Sequence, residues 1–282
     1  MTVSVITVSY RTGPALFEMI ASVLDNRDID ELVIVNHDNP APIVERLKTL
    51  EAEHARLRVV HSGANLGFAR GCNLGASVAQ GDYFLFLNPD AQIDASAPSI
   101  LQQTAEGLNP PAIIGGCLLN KDGSLQRGAR RAELTLLNAI SDVLPFNPGR
   151  QFNHHDAPLP EAAEPCATVS GAAMMMSRDS FERLNGFDEA YFLHVEDIDI
   201  CQRARDLGGQ VVFEPRAKIR HVGGTSAASP WVVERHKGAG FVRFFWTHGG
   251  QWALLKACLA ALLVYPALLG RLILRRLAGS PS

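Results

Sequence analysis

The sequence has no Asp or Glu beyond residue 234, no CxxC pair among its five cysteines and no excess of basic over acidic residues. With 26 Lys and Arg against 29 Asp and Glu, the net charge of −3 excludes a binder whose affinity comes from neutralising nucleic-acid phosphates. Cys72, Cys117, Cys166, Cys201 and Cys258 are scattered and odd in number. That pattern predicts reduced, buried small residues rather than a disulfide or zinc framework. The N-terminus enters Val3-Ser4-Val5-Ile6-Thr7-Val8 without a charged region, apolar core and cleavage site, so no secretory signal is expected. What is present is an ordinary folding composition: 47% hydrophobic and 20% charged, with 24 Gly and 16 Pro, which excludes disorder, collagen and coiled coil. A length of 282 residues suits one large domain or a domain with an appendage.

The missing acids make the tail distinctive. From Arg235 onward seven cations give +7, which leaves −10 on residues 1–234. Trp246, Trp252 and a leucine-rich run lie between those cations, a pattern attracted to an anionic membrane face. Residues 257–270 are uncharged and contain Pro266, whereas a bilayer span needs about 20 apolar residues. The expectation is an interfacial helix or helical hairpin. A tilted span over 252–274, or packing against the body or a partner subunit, stays open.

Periodicity organises the first half. Residues 3–9, 32–35, 57–61 and 83–87 read as buried strands, and 42–53 and 69–79 as helices, with helical spacing at Leu16, Met19, Ile20, Val23 and Leu24. Repeated βα units imply a parallel sheet covered by helices, with ligands at the strands' carboxyl ends. Residues 145–165, with five prolines, predict a long surface loop. Beyond it, 167–176 and 210–213 predict strands, and helices are expected near Phe181 and over 197–207. The body is expected to end near residue 230.

Four segments carry chemistry. Asn65-Leu66-Gly67-Phe68-Ala69-Arg70-Gly71-Cys72-Asn73 joins a strand to a helix; its glycines fit either a helix N-terminus that receives a diphosphate or close packing of helix on sheet. Asn88-Pro89-Asp90 ends a strand where a ligand-bound Mg²⁺ or Mn²⁺ finds hard oxygen donors, although Asp90 equally fits a turn or helix cap. Glu196-Asp197-Ile198-Asp199 opens a helix. The helix dipole accounts for Asp199, while Glu196 and Asp197 sit where a loop aims a carboxylate into a cleft as general base. His221-Val222-Gly223-Gly224-Thr225-Ser226 follows a strand-like stretch over 217–220, and its imidazole fits a metal ligand or a structural histidine.

In this order and spacing the four segments resemble glycosyltransferase family 2, over about residues 3–226, and within it the rhamnosyltransferase-like branch. The resemblance implies an α/β GT-A fold over 1–230, a mainly parallel sheet flanked by helices, with an amphipathic helical tail over 231–282 for membrane association. It implies an inverting enzyme with a nucleotide diphosphosugar donor, first dTDP-rhamnose, UDP and GDP sugars being the alternatives. The implied acceptor is a lipid-linked saccharide of cell-envelope polysaccharide synthesis, met at the cytoplasmic side of the inner membrane by a peripheral or monotopic protein. Carried over to matching positions, Asn88-Pro89-Asp90 looks like a DxD variant with Asp90 as ligand of Mg or Mn, and His221 closes the metal shell. Glu196-Asp197 is similar to the family's ED pair, with Asp197 as base. Asn65, Gly67, Asn73 and Asn88 are expected at the nucleotide. Family members commonly carry Asp-Asn after the second strand; here Asn36-His37-Asp38-Asn39 stands there, and either Asn36 or Asp38 could meet the pyrimidine edge. Tyr10 fits a base-stacking residue or an ordinary rim tyrosine.

Asn185-Gly186-Phe187-Asp188-Glu189 departs from the family's Gly-Gly-Phe-Asp-Glu, and no Gln-x-x-Arg-Trp segment is present, which disfavours a processive polymer synthase. A nucleotide-dependent oxidoreductase is disfavoured because Ser9-Tyr10-Arg11-Thr12-Gly13 follows the first strand in place of GxGxxG. A catalytically idle sugar-nucleotide binding subunit is the remaining alternative; it would keep the fold and lose the base, which Asp197 argues against.

Overall fold

The β-branched opening run forms β1 (Val3–Ser9), buried along its whole length, as befits a strand with helices over both faces. The computed structural model describes residues 1–143, 152–154, 157–225 and 229–277. After β1 come α1 (Ala15–Leu24), β2 (Glu31–Asn36), α2 (Ala41–Glu53), β3 (Leu57–His61), α3 (Phe68–Val78) and β4 (Tyr83–Leu87), the expected βα alternation. The middle adds β5 (Ala91–Ile93), α4 (Ala97–Glu106), β6 (Ala112–Leu119), β7 (Arg130–Arg131) and α5 (Leu136–Val143). Then follow β8 (Glu164–Pro165), β9 (Thr168–Val169), β10 (Ala173–Ser177), α6 (Arg178–Arg183), α7 (Glu196–Asp206) and β11 (Gln210–His221). Three helices close the chain, α8 (Pro230–His248), α9 (Ala253–Leu259) and α10 (Tyr265–Leu277), the last two joined by a wide-pitched turn over Ala260–Val264.

The main sheet runs β3-β2-β1-β4-β10-β6-β11-β5, with β8 beside β11. β1, β2, β3 and β4 are mutually parallel, as are β6 and β11, whereas β10 lies antiparallel between β4 and β6. The strand order reverses between β1 and β4, because β2 and β3 lie to one side of β1 and β4 to the other. At such a reversal the crevice at the carboxyl ends is open to a ligand. Tyr10 leaves β1 and Asn88 leaves β4 at that edge.

Three expectations change. The apolar run over 167–176 is not one strand: β9 pairs with β7 in a separate ribbon, and a turn closed by the Ala173 N–H on the Ser170 carbonyl at 3.4 Å separates it from β10. The stretches 210–213 and 217–220 instead join into β11, whose register on β6 shifts between Glu214 and Lys218, the place where Pro215 cannot donate to the ladder. Within 145–165, Phe152 and Asn153 are buried rather than on a surface loop, and Asn153 bridges to Arg131. Residues 144–151, 155–156 and Ser226 lie outside the described residues. Of the cysteines, Cys72, Cys117 and Cys201 are buried as expected, but Cys258 is exposed on α9.

The C-terminal helices fold into an antiparallel hairpin. Ala239 and Tyr265 line one end of the groove between its arms and Trp246 and Ala257 the other. A Cβ at Gly238 would lie 2.3 Å from the Tyr265 ring, so this glycine permits the close approach of the arms. The hairpin's inner face, through Phe241, Phe244, Phe245, Val264 and Leu268, packs on Tyr191, Val195 and Ile198 of the body. Buried Asp199 clamps the joint, accepting from Arg203 Nε at 2.8 Å and lying 2.8 Å from His248 Nε2. Burial would raise its carboxyl, but those partners outweigh burial and hold it below the usual range. Gly250–Gly270, 21 residues, is long and apolar enough to cross a membrane by length and composition, and 22% of its apolar window is buried.

Candidate active site

The apolar strand β4 delivers Asn88-Pro89-Asp90 to the crevice, and a turn closes when the Ala91 N–H reaches the Asn88 carbonyl at 3.1 Å. β5 then pairs antiparallel with the end of β11, setting His221 opposite Ala91. This register places His221 Nε2 3.1 Å from Asp90 Oδ1 and 3.1 Å from Asn88 Nδ2. Thr225 donates to Asp90 Oδ2 at 2.8 Å. Burial alone would raise the Asp90 carboxyl; the bonds from His221 and Thr225 outweigh it and hold it below the usual carboxylate range.

A divalent cation fits this pair. Gln126 Nε2 donates to the His221 carbonyl at 3.2 Å, which leaves Gln126 Oε1, 2.6 Å from His221 Nδ1, as acceptor. The Nδ1 proton is thereby fixed and the Nε2 lone pair turned toward Asp90, the orientation that outer partners give to metal-binding histidines. The 3.1 Å between Nε2 and Asp90 Oδ1 is bridged either by an imidazole proton or by a cation, and two neighbouring ligands of one divalent ion stand about this far apart. Among the described residues no three His, Cys, Asp or Glu side chains form a metal-binding group, so water and ligand oxygens would complete the shell.

Asp197 stands at the first turn of α7. The two residues that precede the helix, His194 and Val195, adopt φ of 68° and 73°, a conformation that is strained for a β-branched side chain. Asp197 Oδ2 accepts from Arg131 and from the Gly171 N–H at 3.2 Å, while Oδ1 takes the Ile198 N–H at 2.8 Å. The next residue, Ala172, accepts the Asn88 N–H at 3.0 Å. One turn thus bonds Asp197 through Gly171 on one side and the Asn88 backbone through Ala172 on the other, which links Asp197 to the segment that carries Asp90.

Glu196, expected beside the base, turns elsewhere. Burial first and the adjacent Asp197 charge second push its carboxyl up, and it lies close enough to the buried Cys72 thiol of α3 to raise that group as well. Its Oε2 atom has no hydrogen-bond partner among the described residues.

The glycine-rich segment also departs from expectation. Gly67 caps α3 at φ 87°, and a Cβ there would meet the Phe192 carbonyl oxygen at 2.5 Å. The Phe68 N–H is spent on that same carbonyl at 2.8 Å, and the Gly67 N–H on Asn65 Oδ1 at 3.0 Å. The first two N–H groups at this helix start are thus taken by protein, and the glycine serves close packing. Asn73 is likewise occupied: its amide donates to the Phe187 carbonyl at 2.9 Å and to Glu189 at 3.2 Å, and accepts the Phe187 N–H at 2.9 Å. Asn73 is a clasp between α3 and the 186–189 turn rather than a nucleotide contact.

At the end of β2, Asn36 is buried, its amide 2.9 Å from His61 Nδ1 and accepting from Asn39 at 2.7 Å. Both ends already hold a protein partner. Asp38 is exposed, at φ 48°, and pairs with Arg11 at 2.8 Å; the Arg11 guanidinium lies over the half-buried Tyr10 ring at 5.3 Å. Two polar residues of the site escaped the sequence reading, Gln126 and Arg131, because neither belongs to a motif and only the β7–β9 pairing and the β11 terminus bring them in.

Comparison with known proteins agrees with this geometry. Residues 4–184 match the family model for glycosyl transferase family 2, and residues 153–226 match that for the N-terminal domain of galactosyltransferase. The N-acetylglucosaminyl-diphospho-decaprenol L-rhamnosyltransferase of Mycobacterium tuberculosis is 26% identical over 89% of this chain and 90% of its own length. The rhamnosyltransferase WbbL of Escherichia coli is 25% identical over 72% of this chain and 78% of that protein. Among solved structures, GalNAc-T7 with UDP, GalNAc and Mn²⁺ superposes with a TM-score of 0.67 at 14% identity, covering 94% of this chain, which spans about half (52%) of that one. The mannosyltransferase PcManGT of Pyrobaculum calidifontis, with GDP-Man and Mn²⁺, gives 0.60 at 15% identity over 99% of this chain and 76% of that chain. With a GT-A fold and a family model matched from residue 4 to residue 184, the chain belongs to glycosyl transferase family 2 and is an enzyme that transfers a sugar from a nucleotide donor.

Proposed function

We propose that this glycosyltransferase moves L-rhamnose from dTDP-rhamnose, with inversion, onto a lipid-linked saccharide of cell-envelope polysaccharide synthesis. The observation that carries the reading is the single turn, Gly171-Ala172, that bonds both Asp197 and the backbone of the segment holding the Asp90–His221 pair, supported by two relatives named as rhamnosyltransferases. Asp197 takes the proton of the acceptor hydroxyl as that oxygen bonds to the anomeric carbon and the bond from that carbon to the diphosphate oxygen breaks. Gly171 and Arg131 hold the carboxylate in place for that transfer. Asp90 and His221 would hold Mg²⁺ or Mn²⁺, which when bound neutralises the charge of the departing diphosphate. Asn88 orients His221, and Asp38 with Tyr10 would meet the base at the carboxyl ends of β2 and β1. In this reading 1–230 is the catalytic domain and 231–282 the membrane-associating one.

The test is a donor panel with Mn²⁺ and a short-chain prenyl-diphosphate saccharide. Turnover of dTDP-rhamnose is expected to exceed that of UDP and GDP sugars by about 100-fold, the scale on which unpaired polar groups reject a wrong ligand. Turnover confined to a UDP or GDP sugar would remove rhamnose from the reading.

The protein is read as peripheral or monotopic at the cytoplasmic face of the inner membrane. Trp246 and Trp252, each 57% exposed, and Leu262, 72% exposed, lie on the hairpin among Arg243 and Lys256. Changing Leu254 and Leu262 together to Glu should weaken partition onto anionic vesicles by roughly 100-fold or more, since each buried leucine is worth about 1.5–3 kcal/mol. Unchanged flotation of that variant would take the hairpin out of membrane binding.

A further inference from the structure

The turn that leads to Asp197 is held from outside the sheet. His194 and Val195 stand at φ 68° and 73°, and a β-branched residue stays there only where its surroundings over-determine it. Val195 is 3% exposed, and α8 lies against it. A Cβ added at Gly240 of α8 would lie 2.9 Å from Val195 Cγ2 and 3.2 Å from the His194 carbonyl oxygen. Gly240 is in the interior of its helix, where glycine costs stability relative to alanine, and this close approach is the reason that a side chain is absent there.

His236, Gly240, Phe244 and His248 recur at four-residue spacing and so share one face of α8. Each meets the segment that runs into α7. The His236 ring stacks on the Phe192 ring with centroids 4.3 Å apart. Gly240 abuts Val195, Phe244 shares a buried cluster with Val195 and Ile198, and His248 Nε2 stands 2.8 Å from Asp199 Oδ1. These contacts flank Asp197 in the chain, at 192 and 195 before it and at 198 and 199 after it. Asp197 itself bonds elsewhere, to Arg131 and to the Gly171 N–H. The Val195 dihedrals aim the first turn of α7, so the carboxylate reaches those partners only while the turn stands where α8 sets it.

We infer that α8 positions the catalytic base: its His236-Gly240-Phe244-His248 face holds the left-handed turn at His194-Val195, and Gly240 is the positioning residue that sets the place of Asp197. The catalytic unit then extends past residue 230 into the helical tail. The inference rests on the reading of Asp197 as base. The test measures kcat and donor affinity of full-chain variants, using the nucleotide sugar selected by the donor panel, Mn²⁺ and the short-chain prenyl-diphosphate saccharide. Gly240→Ala should lower kcat roughly 10- to 100-fold, since a misplacement of about 1 Å at a reacting group costs about 100-fold, while donor affinity stays within about threefold. Val195→Gly removes the side chain that α8 grips and should lower kcat about tenfold, although glycine suits φ 73° better. On that background Gly240→Ala should add less than about twofold, because only the His194 carbonyl oxygen still meets the new methyl. On an Asp197→Asn background it should lower the residual turnover no further. His236→Ala, at a half-buried position, loses the stacked ring and should cost about threefold in kcat, which keeps the test open if Gly240→Ala unfolds. Thermal unfolding reads the same contact without substrate: Gly240→Ala should melt lower, and less so on the Val195→Gly background. Normal kcat in folded Gly240→Ala and in His236→Ala, an equal loss with and without Asp197, or donor affinity falling in parallel with kcat would overturn the inference. Normal turnover of Asp197→Asn beside a loss in Gly240→Ala would keep the hold of α8 on the turn and overturn the base. A full loss in Asp197→Asn with none in Gly240→Ala would do the reverse.

Discussion

Asp197→Asn is expected to lower sugar transfer about a thousandfold, the usual scale for losing a general base, while donor affinity stays within about threefold. The substitution keeps the shape and removes the proton acceptor. It also disturbs a fully donor-lined position: Arg131, the Gly171 N–H and the Ile198 N–H all point at this carboxylate, and an amide must turn its own N–H₂ toward one of them. That mismatch costs about 1–3 kcal/mol of stability, so thermal unfolding of the variant has to be read beside its kinetics. A folded variant with near-normal turnover would remove Asp197 from the chemistry. A variant that loses donor binding in parallel with transfer would make Asp197 a structural anchor of the 170–172 turn.

How far such a site could be read in the sequence depended on how local its causes are. β1 to β4 were legible because each strand is a short apolar run between helical spacings, and their parallel pairing leaves few topologies. Asp90, Asp197 and His221 were legible as motif residues, each at an element boundary. β6, with its Ala-Ile-Ile-Gly-Gly-Cys run, is equally apolar but went unread, because Gly115 and Gly116 look like a turn. Their true requirement is tertiary: Cβ atoms there would meet the Val169 side chain at 2.3 Å and the Ile219 side chain at 2.3 Å. The same blindness governs Gly67 and Asn73, whose sequence context suited a phosphate loop until Phe192 and the 186–189 turn were found in the space. Arg131 carries no local signal at all; its approach to Asp197 comes from a two-residue ribbon in which it pairs with Thr168, 37 positions away.

Removing the charge of Asp90 should act on the opposite pole and through a different observable. Asp90→Asn keeps an acceptor for Thr225 and nearly the same shape, so folding should be little changed, but it removes the one ionised oxygen donor paired with His221. Hard divalent cations are held chiefly by carboxylate oxygens, with a neutral imidazole adding less. Nucleotide affinity measured with Mn²⁺ is therefore expected to fall about 100-fold, the several kcal/mol that a cation contributes at a phosphoryl oxygen, while affinity measured in chelator stays the same. His221→Asn should give a smaller loss of the same kind. The double variant should fall little below Asp90→Asn alone, because two ligands of one ion act as a unit and their effects do not add. Full additivity would mean that the two side chains serve separate purposes. A Mn²⁺-dependent titration unchanged in Asp90→Asn would show that the cation is held elsewhere, and the 3.1 Å approach of His221 to Asp90 would then be an ordinary imidazolium–carboxylate pair.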